Sequence, residues 1–193
     1  MAKQKPLYKQ IEAGIYKGKK IYLPSLQSTR STKSILKNSF FNSIQFELEG
    51  FDFVEVFGGS GSMGLEALSR GAKRAYFIEI DKLAFEILNK NCMEIDPKNC
   101  TTILGDSFAE FPKLLNLLEQ KAIFYFDPPF DIRDGMEEIY TNVYDLILSI
   151  PSNLAHIIAI EHISSLKTPP KIGIYQKVKT KKFGKSSLSI YRI

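Results

Sequence analysis

From Phe51 onward the chain alternates short apolar runs with amphipathic segments of helical period, and few folds accommodate that pattern. Strands are expected near residues 52–56, 74–80, 101–104, 122–126 and 154–160. Helices are expected between them near residues 62–70 (closed by Gly71), 82–95, 107–119 and 136–148. Such an order predicts a mostly parallel sheet covered on both faces. The rhythm breaks at the end, where KIGIYQKVK and SSLSIYRI flank a Lys-rich turn containing Gly184, so a terminal antiparallel hairpin should close the chain.

Ahead of this region, two short apolar runs at residues 11–16 and 21–23 are separated by Lys17-Gly18-Lys19, which reads as a β-hairpin. The stretch STKSILKNSFFNSI then sets Ile35, Leu36, Phe40, Phe41 and Ile44 on one helical stripe, with Ser31 or Thr32 as its N-cap. The expected organisation is a hairpin-and-helix appendage over residues 1–46 and a main domain over 47–193. A length of 193 residues suits one core of ordinary size.

Charge is distributed unevenly. Residues 1–46 carry nine Lys or Arg against the single Glu12, and residues 167–193 carry eight with no acid. The acids concentrate in the middle, so both ends are strongly basic, a polarity suited to a polyanionic partner. Lys17, Lys19, Lys20 and Arg30 are the expected contacts with it. No run approaches the roughly 20 apolar residues needed to cross a bilayer, and the basic start has no apolar segment behind it, so a cytoplasmic location and no membrane partner are expected. Cys92 and Cys100 lack metal-ligand spacing and have no histidine nearby; no metal site is expected.

The first strand runs into EVFGGSGSMGLEALSRG, in which Gly59, Gly61 and Gly64 fit GxGxxG, a strand-to-helix turn that lets backbone approach a ligand closely. The pattern serves both nicotinamide and S-adenosylmethionine enzymes. The next strand ends in FIEID, placing Glu79 about 20 residues beyond the first glycines, where an acidic side chain meets ribose hydroxyls. Asp106, in LGDS, is an acceptor for an exocyclic amine such as that of adenine, or equally an N-cap for the helix that follows.

The fourth strand ends in FYFDPPF. Pro128 and Pro129 cannot continue a ladder, so the chain leaves the sheet with Asp127 and Phe130 beside it. Dehydrogenases have no general need for this group, whereas amino-group methyltransferases do. Asp127 and the Pro128 carbonyl suit the two N–H bonds of an exocyclic amine, and Phe130 suits stacking on its base. An NAD-dependent oxidoreductase and a non-catalytic RNA-binding protein are the readings that these residues disfavour.

With these motifs in place the chain resembles the RsmD family of bacterial 16S ribosomal RNA guanine-N2 methyltransferases. The likeness extends over GKKIYLP, RSTKSILKNSFFNSI, EVFGGSGSMGLEALSRGA, FIEID, DPPF and the terminal FGKSSLSIYR. Family members usually carry Asp at the position of Glu55, a small residue such as Ala at Gly58, and Pro at Ser31. The resemblance implies a Rossmann-like class I methyltransferase fold, a seven-stranded, mostly parallel sheet with a terminal antiparallel hairpin. It implies S-adenosylmethionine as cofactor, with Glu55, Phe57, Gly59 and Gly61 around the methionyl part, Glu79 and Ile80 around the ribose and adenine, and Asp106 with Ser107 near the adenine amine. It implies Asp127, Pro128, Pro129 and Phe130 as the catalytic set, with no metal, because transfer from a sulfonium needs no Lewis acid. The implied substrate is the N2 amine of a guanine in ribosomal RNA, free or in a small-subunit assembly particle. The base would be extruded into the site, with the segment around Gly135 closing over it. Methylation of another nucleic-acid amine, including DNA adenine, is the nearest alternative, although the chain has little room for a separate DNA-recognition domain.

Overall fold

The computed structural model describes residues 7–24, 31–129 and 138–193, the side chains of residues 31 and 32 excepted. Four parallel strands form one side of the sheet, with β5 at its edge: β3 (Asp52–Glu55), β4 (Ala75–Glu79), β5 (Cys100–Leu104) and β6 (Ala122–Phe126). A fifth, β7 (Ala155–Ile163), pairs in parallel with β6, and the antiparallel β10 (Ser186–Arg192), β9 (Tyr175–Phe183) and β8 (Lys171–Ile172) complete the order β5-β4-β3-β6-β7-β10-β9-β8. Helices α2 (Ser62–Ser69), α3 (Lys82–Ile95), α4 (Ser107–Leu115) and α5 (Ile139–Leu148) fill the connections.

The parallel sheet and the closing hairpin at Gly184 therefore stand where the pattern puts them, with one addition. The short β8 makes eight strands instead of seven, because Gly173, at φ 56°, turns the chain back so that Lys171 and Ile172 pair with Gln176 and Tyr175. Helix α4 also stops at Leu115, short of the expected residue 119.

The N-terminal hairpin differs from expectation. Its strands are β1 (Tyr8–Gln10) and β2 (Lys20–Tyr22), so the first lies upstream of the apolar run at 11–16. The cause is the buried Glu66 of α2, whose carboxylate accepts the backbone N–H groups of Glu12 (2.9 Å) and Ala13 (3.1 Å), tying that run to α2. Ile11 and Ile21 are buried together with Leu65, Leu68 and Leu88. Asn91 of α3 clamps the hairpin further, accepting from Tyr22 N and donating to the carbonyls of Tyr22 and Ser60.

Helix α1 (Ser31–Ser43) lays its aromatic stripe on the sheet. The Phe40 ring meets Phe41 at 5.2 Å, Tyr125 at 5.3 Å and Phe53 at 6.4 Å, in edge or tilted geometries favourable for aromatic pairs. Leu36, Phe40, Phe41 and Ile44 share one core with strands β3, β6, β7 and β10. Helix α1, on the N-terminal side of residue 46, thus shares its core with the sheet. Among the described residues no helix is long and apolar enough to cross a membrane.

Phe41 is fully buried, and Phe41→Ala should cost about 3–5 kcal/mol of unfolding free energy, measured by urea denaturation as one cooperative transition. A loss below about 1 kcal/mol would mean that α1 is not part of the sheet's core.

Candidate functional site

The parallel strands end together on one edge, and each carries an acidic group there or one to two residues beyond. The pairings Glu55 with Phe77, Glu55 with Tyr125, and Glu79 with Leu104 fix this alignment. In an open α/β sheet the crevice outside these carboxyl ends is where ligands bind.

Glu55 closes β3 and is buried, accepting from Gly64 N at 2.8 Å and Met63 N at 3.4 Å. Its carboxylate thereby meets the first-turn amides of α2, at the positive end of the helix dipole. Burial pushes its pKa up to about 8, against the pull of these two amides. The glycine loop beside it is shaped by necessity. Gly61 has φ 76°, and a Cβ there would sit 2.6 Å from the Leu88 side chain; a Cβ on Gly64 would run into the Phe77 ring. Gly61 thus serves the turn and its packing. Gly59 faces open space.

Glu79, at the end of β4, uses both oxygens locally: Oε2 accepts from Gly59 N at 2.6 Å and Oε1 from Asp81 N at 2.8 Å. Each oxygen keeps a further lone pair for a ligand. Asp106 takes the N-cap role, accepting from Phe108 N at 3.1 Å through Oδ1. Ser107 is buried, and its hydroxyl donates to the Val56 carbonyl at 2.6 Å, which joins α4 to the end of β3. Ile80 is exposed.

Two cavities open along this edge. The larger, about 490 Å³, has apolar walls from Ile78, Ile80, Phe108 and Pro129 with the acceptors Glu79 and Asp106 among them. The smaller, about 120 Å³, lies toward α1 and is lined by Glu55, Lys9, Lys33, Lys37, Tyr125 and Glu161. Phe57, Gly59 and Asp127 line both. Ser107 reaches the larger one as well, whereas Gly61 and Pro128 are not in either wall. Phe130, Arg30 and the segment around Gly135 lie outside the described residues.

Asp127 follows β6 directly, and its Oδ2 is 2.9 Å from Lys33 Nζ of α1. The carboxylate raises the Lys33 pKa, the largest influence on that group. Sequence reasoning missed Lys33, which it counted only as part of a basic end, and it missed Glu161. Signals existed for both. Lys33 lies on the helix that carries the aromatic stripe, and Glu161 ends the apolar part of its strand as Asp127 ends β6: Ile160 pairs with Phe126. Tyr125 donates to Glu161 Oε2 at 2.9 Å.

The basic ends are partly committed to the fold. Lys37 is buried between Glu66 (3.0 Å) and Glu12 (3.2 Å). Lys19 reaches the carbonyls of Glu94 and Ile95 at the end of α3 and lies over the Tyr16 ring, so this expected substrate contact has a structural task. Arg192 forms a two-bond pair with Glu47, and Lys181 donates to Ser39. Lys17 and Lys20 are exposed, with Lys20 over the Tyr8 ring.

Comparison with known proteins bears on this arrangement. A family model described as Conserved hypothetical protein 95 matches residues 9–192. The chain is 30% identical over 125 residues to ribosomal RNA small subunit methyltransferase D of Haemophilus influenzae, covering 63% of each chain. It is 27% identical to the protein of the same name from Buchnera aphidicola, covering 86% of this chain and 85% of that one. Among solved structures it is similar to the Escherichia coli protein yhhF, provisionally named a methyltransferase (TM-score 0.73, 24% identity, 96% and 97% of the two chains), and to a hypothetical protein of Thermus thermophilus (TM-score 0.74, 18% identity, 96% and 99%). The two structural likenesses show the shared fold.

The raised pKa of Glu55 sets a sign for stability. Its folded value, about 8, lies above the ordinary 4.5, so the folded state holds the proton more tightly and the contribution is full below about pH 4.5 and lost as pH rises through about 8. Wild-type urea midpoints should therefore fall over that window. In Glu55→Gln the fall should be shallower; an equal slope in both proteins would show that Glu55 is ionised throughout.

Proposed function

This chain belongs to the RsmD family, the family described as Conserved hypothetical protein 95, and on that premise we propose that it uses S-adenosylmethionine to methylate the N2 amine of a guanine in 16S ribosomal RNA. One observation carries the reading: Asp127, at the end of β6, lines both cavities, so a group held in one faces a group held in the other across its carboxylate.

The larger cavity fits the cofactor. Its apolar walls Ile78, Ile80 and Phe108 suit a flat adenine, Glu79 keeps lone pairs for the ribose hydroxyls, and Asp106 keeps Oδ2 for the adenine amine. Gly59, open to both cavities, and Phe57 line the way from the adenosine end toward Asp127, with Glu55 behind the glycine loop on the methionyl side. When bound there, S-adenosylmethionine supplies a methyl group made electrophilic by its sulfonium.

The chain's own residues act on the amine. Asp127 accepts one N–H and the other is assigned to the Pro128 carbonyl, although Pro128 itself lines neither cavity; together they draw the nitrogen lone pair out of conjugation with the base and turn it toward the methyl carbon. The carboxylate would stabilise the positive charge that nitrogen gains as the N–C bond forms and the methyl–sulfur bond breaks, with S-adenosylhomocysteine as the leaving group and the surplus proton on nitrogen passing to solvent. Lys33 fixes the carboxylate through Oδ2, leaving Oδ1 for the substrate. Pro129, in the wall of the larger cavity, holds the turn rigid, and Phe130 takes the stacking role on the base. A guanine in folded RNA is reached by extrusion from its stack. Lys17, Lys20 and Arg30 are assigned to RNA phosphates, with Lys19 shared between that role and the end of α3. The substrate is the RNA itself or a small-subunit assembly particle, and the reaction belongs to the cytoplasm.

Purified protein incubated with small-subunit RNA and methyl-labelled cofactor should yield labelled N2-methylguanosine on nucleoside analysis. Asp127→Ala should lower the rate by at least about a hundredfold with affinity for S-adenosylhomocysteine nearly unchanged. Label in another nucleoside would overturn the choice of amine, and wild-type turnover by the variant would remove Asp127 from the chemistry.

A further inference from the structure

Glu161 is the acidic group of this edge for which the chemistry above has no use. It is 3% exposed and sits in the wall of the smaller cavity beside Asp127. The Tyr125 hydroxyl donates to Oε2, but Oε1 is buried and makes no hydrogen bond of good geometry among the described residues, the Ser186 hydroxyl acting on the carboxylate from β10 without closing one. A buried acceptor left unpaired costs stability, and native structures rarely retain one without a reason.

Its placement supplies the reason. Phe126 and Ile160 are paired neighbours on parallel strands, so Asp127 and Glu161 leave adjacent strand positions, about 4.8 Å apart in the pairing direction. Two carboxylates side by side are tolerated because Lys33 is paired with Asp127 and its charge also acts on Glu161. The groups facing Glu161 are Lys9 from β1, Lys33 from α1, Tyr125 on β6 with Asp127 just after it, Tyr140 from α5 and Ser186 from β10. Two adjacent acceptors call for a ligand edge with two adjacent donors. The edge of guanine that carries N1–H and the N2 amine has that arrangement; adenine presents a bare N1 acceptor next to its amine, and would meet Glu161 lone pair to lone pair.

We propose that Glu161 determines base specificity, its Oε1 accepting the N1–H of the target guanine while Asp127 holds the N2 amine. This rests on the guanine-N2 reading above and adds to it the residue that enforces it. Tyr125 is a positioning residue for Glu161, holding Oε2 so that Oε1 faces the base. Burial, then the Asp127 charge, push the Glu161 pKa up, so the variants are compared on the alkaline side of neutrality.

The test replaces the target guanine in the RNA by 2-aminopurine, which keeps the 2-amino group but has no hydrogen on N1. Full-length wild-type protein should methylate the guanine RNA with the higher kcat/KM. In Glu161→Gln, whose amide can either accept from N1–H or donate to a bare N1, the guanine to 2-aminopurine ratio should fall by roughly tenfold or more, the worth of a charged hydrogen bond. Glu161→Ala should narrow the ratio likewise, and Tyr125→Phe should do so more weakly. Affinity for S-adenosylhomocysteine and thermal melting serve as checks that the variants fold. A ratio that stays at the wild-type value in folded variants, whatever the loss of rate, would overturn the proposal and leave Glu161 a structural partner of Tyr125. Absence of any guanine methylation by the wild type would instead defeat the guanine-N2 reading itself, a separate result.

Discussion

The site depends on one geometric constraint, the in-register parallel pairing of β3, β4, β5 and β6. Because these strands run the same way and their pairings are fixed, every chain segment must leave the sheet at the same edge. The candidate groups are therefore assembled by strand ends and the residues just after them: Glu55, Glu79, Asp106 and Asp127. Parallel pairing with β7 adds Glu161.

A row of carboxylates at one edge would repel itself, and the fold gives each a different compensating partner. Glu55 meets the amides of α2, Glu79 those of Gly59 and Asp81, and Asp106 that of Phe108. Asp127 has the Lys33 ammonium, and Glu161 a tyrosine hydroxyl. Glu55, Glu79 and Asp106 are thus held by backbone dipoles, which keep lone pairs available and hold the loops rigid. Asp127 and Glu161 are held by side chains of α1 and β6. Burial without a full charge partner is why Glu55 and Glu161 titrate high.

The parallel sheet was legible because its apolar runs and helical stripes are each strong local signals, and the terminal hairpin because a glycine turn separates two strand-like runs. The acidic groups at the strand ends were legible for the same reason: Asp127 and Glu79 follow or close apolar runs, and the structure places both at the same edge of the sheet. What the sequence concealed depends on long-range pairing. The run Ile11 to Tyr16 looks like a strand, yet Glu66 and Ser69, more than fifty residues away, claim the amides of Glu12, Ala13, Ile15 and Tyr16. Lys19 and Lys37 look like surface charge until the fold sets one on a helix end and the other between two glutamates. Lys33 reaches Asp127 only because Phe40 and Phe41 seat α1 on the sheet.

The most direct measurement is a crystal structure of the protein with S-adenosylhomocysteine. The adenine should lie between Ile80 and Phe108 with its amine at Asp106, the ribose hydroxyls at Glu79, and the sulfur at Gly59 directed toward Asp127. A ligand seated outside this strand edge, or one reversed so that its sulfur points away from Asp127, would contradict the assignment of the two cavities and the chemistry built on them.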